Sequence, residues 1–354
     1  KFCKTTTMIN GHGDDLYKYN VEVKSNFSSN IYSHADLSGL KKYLAGRMDV
    51  IGSYPEPEPY SLEKALAEEC GIKANEIMVT NGATEAIYLA ARLTNEKLAG
   101  SGINLISMPT FSEYADACRM AGGKTMSSES GYRGEATHWM CNPNNPTGTV
   151  IGGKELLNIA AESKDDIFVI DQSYEHYTTL KLISDREAAD AGNIILIHSM
   201  TKQFCIPGLR LGYVTAAPQL ISRLKALRHP WSVNALAIEA GLYLIQNKEK
   251  AISDVGGLLD EAQRLRNELN KIDGVSVRPT MTNFMLASLK GRKAADLKEF
   301  LVNSYGILIR DASNFEGLDS SYFRVAAQTR TENDMLVMAI KDFMSHNCYR
   351  QQDK

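Results

Sequence analysis

Lys202 stands three residues after Ser199 and eight before Arg210, where the apolar run 194–197 ends. A lysine amine forms a Schiff base with an aldehyde, and a serine and an arginine near it offer donors to a dianionic phosphate. Asp171 closes a second apolar run, "DIFVID", and Tyr174 comes three residues later. A carboxylate at the inner end of a buried strand is costly unless something partners it, and a cationic ring nitrogen would do so. After "EIMVT" the residues Asn81-Gly82-Ala83-Thr84 lead into a helical pattern. Free N–H groups and the positive end of a helix dipole hold an anion there, ideally a phosphate. After "INLISM" come Phe111 and Tyr114, either of which could stack on a flat ligand ring. After "THWMCN" comes "PNNPTG", a turn sequence that contains Asn145. Taken singly, each has an ordinary explanation: an Asn-Gly turn, an aromatic in the core, a basic residue at a strand end.

The elements that must position these residues alternate. Apolar runs of strand length at 76–80, 103–108, 137–142, 166–171, 193–199 and 210–216 are separated by helical patterns such as "GATEAIYLAARL", "SEYADACRMAG" and "GKELLNIAAES". That alternation implies an α/β fold, a mostly parallel sheet covered on both faces. In open sheets of this kind ligands sit outside the carboxyl ends of the strands, and every residue named above except Arg210 lies at or follows such an end. Jointly they match pyridoxal 5'-phosphate, whose aldehyde needs a lysine and whose ring nitrogen needs an acid partner. The order along the chain (cup, stacking ring, Asn, Asp, Lys, Arg) is more specific than any one part.

Residues 1–55 are polar and end in "GSYPEPEPY", whose prolines forbid a helix and suggest an extended N-terminal arm. A helix is expected from Ser61. Beyond the sheet, "VSVRP", "NFMLASL", "GILIRD" and "YFRVAA" with two further helical patterns read as a compact α+β domain. The expected organisation is an arm over 1–55, a large cofactor-binding domain over 56–230 and a small C-terminal domain over 231–354.

A chain of 354 residues has room for one large α/β unit and a smaller domain. Its net charge of -3 leaves no electrostatic footprint for nucleic acid. No window of membrane-spanning length is apolar, and the first residues lack the apolar core of a secretory signal. The six cysteines are scattered without a Cys-x-x-Cys pair, which suits reduced thiols in a cytoplasm and offers no metal site. A cytoplasmic enzyme is the expectation.

Two rival chemistries fare worse. Ser199-x-x-Lys202 also fits the nucleophile motif of penicillin-binding proteins, but the same spacing recurs at Ser38/Lys41, Ser61/Lys64 and Ser222/Lys225, and the chain has no Ser-Asp-Asn or Lys-Thr-Gly after it. A nicotinamide site is disfavoured because "GHGDDL" lacks the third glycine and a preceding strand.

With these residues in place, the chain resembles the fold-type I pyridoxal-phosphate enzymes of the aspartate aminotransferase superfamily over essentially its whole length. The resemblance implies that Lys202 is the Schiff-base lysine and Asp171 the partner of the pyridinium nitrogen. Tyr174 and Asn145, the latter directly before Pro146-Thr147-Gly148, would bond the cofactor's 3-oxygen, and Phe111 would stack on its ring. Ala83, Thr84, Ser199 and Arg210 would join Gly82 around the phosphate. Tyr54 in "SYPEP" resembles the tyrosine that reaches the cofactor phosphate of a partner subunit, which implies a homodimer with shared active sites. Arg324 in "YFRVAAQTRTEND" resembles the arginine that binds the substrate carboxylate.

Within that superfamily the similarity is to the branch of histidinol-phosphate aminotransferase and threonine-phosphate decarboxylase. "NGATEAIY", "PTFSEY", "ILIRDASNFEGLDSSYFRV" and His12-Gly13 with "NFSSN" after it look more like the decarboxylase. The resemblance then places His12, Gly13, Asn30, Asn145, Arg310 and Arg324 at a phosphorylated amino-acid substrate. The expected reaction is decarboxylation of O-phospho-L-threonine to (R)-1-aminopropan-2-yl phosphate, a cobalamin precursor. The alternatives are an aminotransferase acting on histidinol phosphate or another amino acid, and, more remotely, a non-catalytic sensing module. Two departures concern the substrate end: the usual Asn-Pro-x-Gly is replaced by "NIYSHAD", and an arginine often found after the Phe-Arg-Val motif appears as Gln328. His138, His176, His198 and Arg330 are expected to be structural.

Overall fold

The computed structural model describes residues 13–97, 102–247 and 251–346. His12 lies outside the described residues. The chain divides into two compact units. The larger comprises Ala35–Asn145 and Val150–Ser253; the smaller comprises the described residues up to His34, Pro146–Thr149 and the chain from Asp254 on.

The larger unit is built on a seven-stranded sheet. In spatial order its strands are Ile77–Thr80, Gly212–Ala216, Ile194–His198, Ile167–Asp171, Ala136–Cys141, Ile103–Ile106 and Lys124–Ser127. Gly212–Ala216 runs antiparallel to both of its neighbours, and the other pairs are parallel. Every residue of Ile167–Asp171 and Ile194–His198 is buried. Successive side chains point to opposite faces of a strand. Val169, Ile195 and Ile197 accordingly pack with Ala86, Ala90 and Leu93 of the helix Gly82–Lys97. Phe168, Ile170, Ile194 and Leu196 pack instead with Leu156, Ala160 and Ala188. This two-sided cover explains the unbroken apolar runs.

The two edges are managed differently. At Ile77–Thr80, the Val79 N–H donates to Glu63 Oε1 at 3.1 Å and its carbonyl accepts from Arg228 Nη1 at 2.9 Å. Glu63 and Arg228 are themselves paired at 3.2 Å, so a buried ion pair closes the edge. The opposite edge, Lys124–Ser127, is mostly exposed and reads "KTMS". Without an apolar run, that strand is not expected from the sequence.

The segment expected to be an extended arm folds in part. Ser38–Ala45 is a helix and Met48–Gly52 a 3-10 turn. Leu37, Leu40 and Leu44 recur at helical spacing and pack in one cluster with Leu62, Leu66 and Ala237, so residues 35–55 group with the larger unit. The prolines do exclude a helix between Ser53 and Pro59. A further helix, Asp185–Ala191, begins at a capping box of Ser184 and Glu187.

The smaller unit holds an antiparallel sheet ordered Arg310–Asp311, Tyr322–Ala326, Phe284–Leu289 and Val275–Val277, with the helices Val255–Asn270, Ala294–Tyr305 and Arg330–His346. Ser25–Asn26 pairs in parallel with Ile307–Leu308. The next residue stays attached as well, since the Ala326 N–H donates to the Phe27 carbonyl at 2.9 Å. Among the described residues, no helix is long and apolar enough to cross a membrane.

Candidate active site

Asp171 and Ile197 are register partners on adjacent parallel strands, so the strand end at Asp171 lies beside the one that leads into Ser199. Asp171 is buried. Its carboxylate accepts a hydrogen bond from the Tyr114 hydroxyl at 2.7 Å and another from the Ser173 N–H at 2.8 Å. Burial raises its pKa, while the bonds from Ser173 and Tyr114 and the charge of His198 act in the opposite sense. Tyr114 is the partner that the residue pattern does not assign to Asp171. Its ring stacks on Trp139 at 5.8 Å and meets Phe111 edge-on at 5.8 Å.

Ser199 directly follows the next strand, Ile194–His198, and Lys202 sits in the short helix Met200–Gln203. The Lys202 amine lies 5.8 Å from the ring centre of Tyr174, which brings together the Schiff-base candidate and one candidate for the 3-oxygen. The Tyr177 hydroxyl donates to the Lys202 carbonyl at 3.0 Å and steadies the backbone that carries the amine. The Ser199 and Thr201 hydroxyl oxygens are 2.7 Å apart.

The anion cup rests on two glycines. Gly82 opens the sixteen-residue helix Gly82–Lys97 at φ +73°, and a Cβ there would stand 2.6 Å from Arg210 Nη2. Arg210 therefore lies against the start of the helix that also presents Ala83 and Thr84. Gly212 lets the antiparallel strand pass closely: a Cβ on it would stand 2.7 Å from the His198 carbonyl and 2.8 Å from the Ala83 nitrogen. Two distant stretches of sequence, 82–84 and 199–210, converge through that contact. The sequence shows Gly212 only as part of a strand, because its role depends on what lies across the sheet.

Asn145 is buried. The turn before it is fastened by Asn144, which donates to the Pro109 carbonyl at 3.0 Å and accepts from the Thr110 hydroxyl at 2.8 Å. Tyr54 stands at the surface, 87% exposed, with its ring 5.5 Å from Trp231. His198, expected to be structural, is the centre of a buried charge cluster. Its Nδ1 is 2.8 Å from Glu175 Oε1, its Nε2 is 2.9 Å from Asp185 Oδ1, and its ring stacks on Tyr213 at 4.3 Å. Burial works against its charge, but the two carboxylates prevail and hold its pKa up to about 10.

The smaller unit holds four of the residues assigned to substrate, Gly13, Asn30, Arg310 and Arg324, while Asn145 belongs to the larger unit. Arg310 and Arg324 are register partners on antiparallel strands, both buried. Arg310 donates to Asn314 Oδ1 at 2.7 Å and lies over the Phe315 ring, and burial lowers its pKa to about 10. Arg324 donates to the Ser28 carbonyl, and Gly13 packs so tightly against that carbonyl that a side chain would collide with it. Asn30 is buried at φ +61°, and neither of its side-chain amide atoms has a hydrogen-bond partner among the described residues.

In the larger unit, a helix start with a guanidinium against it, a buried carboxylate and a lysine answer in turn to the phosphate, ring nitrogen and aldehyde of pyridoxal phosphate. Comparison with known proteins agrees. Residues 22–340 match the family "Aminotransferase class I and II". The crystal structure of L-threonine-O-3-phosphate decarboxylase from Porphyromonas gingivalis is similar at a TM-score of 0.86 and 35% identity, covering 90% of this chain and 99% of that one. A histidinol-phosphate aminotransferase from Caldanaerobacter subterraneus is 29% identical over 83% of this chain and 85% of its own length. The adenosylcobalamin biosynthesis bifunctional protein CobDQ of Leptospira interrogans is 28% identical over 94% of this chain, which spans 41% of that larger protein.

Proposed function

The chain belongs to the class I and II aminotransferase family of pyridoxal-phosphate enzymes, and on that footing we propose that it decarboxylates O-phospho-L-threonine to (R)-1-aminopropan-2-yl phosphate. The observation that carries this reading is the pairing of Arg310 with Arg324 across two strands. Cross-strand partners present their side chains on one face, and two adjacent guanidiniums suit a ligand bearing both a phosphate and a carboxylate. O-Phosphothreonine has both, whereas histidinol phosphate has no carboxylate. The relatives named for threonine phosphate and for adenosylcobalamin biosynthesis support the same substrate and a role in making cobalamin.

Bound pyridoxal phosphate supplies an electron sink for the charge left at Cα. The chain's own residues do the rest. Lys202 would hold the cofactor aldehyde until the substrate amine displaces it, and Lys202 or water would then supply the proton that takes the place of the departed carbon dioxide on Cα. Asp171, whose carboxylate accepts hydrogen bonds from Tyr114 and Ser173, would keep the ring nitrogen protonated. Gly82, Ala83, Thr84, Ser199 and Arg210 anchor the phosphate, Asn145 and Tyr174 orient the 3-oxygen, and Phe111 packs on the ring. Arg310 takes the substrate phosphate and Arg324 its carboxylate. By holding both ends they select which Cα substituent is presented for cleavage. Gly13 and Asn30 would complete the substrate contacts. Tyr54, exposed in the single chain, would serve the cofactor phosphate of a second copy in a homodimer.

The test is to incubate cofactor-loaded protein with O-phospho-L-threonine and no keto acid, and to measure carbon dioxide. Catalytic release supports the decarboxylase. No release, together with amino transfer from histidinol phosphate to 2-oxoglutarate, would establish the aminotransferase that the second relative suggests.

A further inference from the structure

The two departures from the family pattern, "NIYSHAD" and Gln328, touch each other. Gln328 is buried, and its carboxamide is used at both ends. Oε1 accepts from the Ser33 N–H at 2.9 Å, and Nε2 donates to the Ile31 carbonyl at 3.0 Å and the Ala326 carbonyl at 3.4 Å. Its own backbone is clamped as well. Asn333 Oδ1 accepts from the Gln328 N–H at 3.0 Å, and Asn333 Nδ2 donates to the Gln328 carbonyl at 3.0 Å and to Glu261 Oε1 at 2.9 Å. Gln328 is thus a fixed bracket around residues 31–33.

The residue directly before that bracket is Asn30. It is held at φ +61°, a left-handed conformation that costs a non-glycine residue energy unless its surroundings impose it. Asn283 Nδ2 donates to the Asn30 carbonyl at 3.5 Å, which adds a second restraint on the backbone. Among the described residues, the side-chain amide is left with its donors and acceptor unused. A buried amide in that state costs free energy that a polar ligand would recover. An arginine at 328 could not form the same bracket. It offers donors only, so the Ser33 N–H would lose its acceptor and a charge would be buried beside it.

We propose that Gln328 is a positioning residue for substrate: by bracketing residues 31–33 it sets Asn30 in its left-handed conformation and presents the Asn30 amide to the phosphorylated amino acid. A glutamine at 328 thereby shapes the turn that follows Asn30. The inference rests on the substrate reading above.

The experiment is a double-mutant cycle on the holoenzyme with Gln328→Met, Asn30→Ala and both together. O-Phospho-L-threonine is titrated while the visible absorbance of the bound cofactor is tracked. Each single change should weaken ligand binding about tenfold, and the double change should be little worse than either, because Gln328 acts through Asn30. The cofactor spectrum without ligand should match the unsubstituted protein in every variant. Multiplying effects, or wild-type affinity in Gln328→Met, would overturn the proposal. If Gln328→Met does not fold, Gln328→Glu keeps the acceptor for Ser33 and enters the same cycle under the same criteria. Unsubstituted protein whose spectrum ignores O-phospho-L-threonine would refute the substrate reading and this inference with it. A response in that protein with a failed cycle refutes the positioning role alone.

Discussion

Arg310 and Arg324 face each other directly across two antiparallel strands, two buried guanidiniums on one side of a small sheet. An anionic ligand bound on that side would gain a charge-assisted hydrogen bond from each. Arg310→Gln should raise KM for O-phospho-L-threonine roughly ten- to hundredfold, the loss expected for a charge-assisted hydrogen bond of about 1.5–3 kcal/mol. It should also shrink the preference for O-phosphothreonine over threonine. Steady-state kinetics on both amino acids checks this, and an unchanged preference would remove Arg310 from the phosphate.

Lys202 has a spectroscopic signature. Lys202→Ala should abolish the visible absorbance of the lysine-linked cofactor and, with it, turnover. A variant that keeps the wild-type spectrum would show that another amine holds the aldehyde.

Gly82→Ala should strike the anion cup. The new Cβ would stand 2.6 Å from Arg210 Nη2 on a backbone at φ +73°. The left-handed conformation alone costs an alanine about 1–2 kcal/mol, and Arg210 must also withdraw. Cofactor affinity, measured by dialysis and reloading, should fall at least about tenfold. Retained affinity would mean that the helix start does not hold the phosphate.

His198 predicts a pH dependence with a definite sign. Its pKa rises from 6.5 to about 10 in the folded chain because Glu175 and Asp185 overcome the cost of burial. A group raised in this way contributes stability that is fully present below pH 6.5 and fades as pH climbs through about 10. Urea unfolding of wild type and His198→Gln should therefore differ most below pH 6.5 and converge as pH rises toward about 10. A gap that does not change with pH would assign the cluster a packing role only.

Much of the candidate cofactor site is legible in the sequence because its residues follow strand ends. Ile194–His198 and Ile167–Asp171 announce themselves as apolar runs, so Lys202, Ser199, Asp171 and Tyr174 can be placed by their distance from the end of a run. The hidden part depends on contacts between distant residues. Nothing local to Tyr114 says that its hydroxyl reaches Asp171, and nothing local to Gly212 says that it must pass Ala83 and His198. The helix Ser38–Ala45 carries its apolar stripe in a polar segment, and its leucines gain meaning only from Leu62 and Ala237. Gln328 reads as a lost arginine in one dimension and as a partner of Ser33 and Ile31 in three.

The antiparallel strand Gly212–Ala216 lies between Ile77–Thr80 and the rest of the larger sheet. During synthesis, Ile77–Thr80 leaves the ribosome long before its neighbour in the sheet exists. Until Ala216 emerges, four residues destined for full burial have no strand beside them, and neither Lys225 nor Arg228 has been made to meet Glu63. A nascent chain paused before that point would carry an unsheltered apolar strand, the kind of segment that chaperones capture and aggregates recruit.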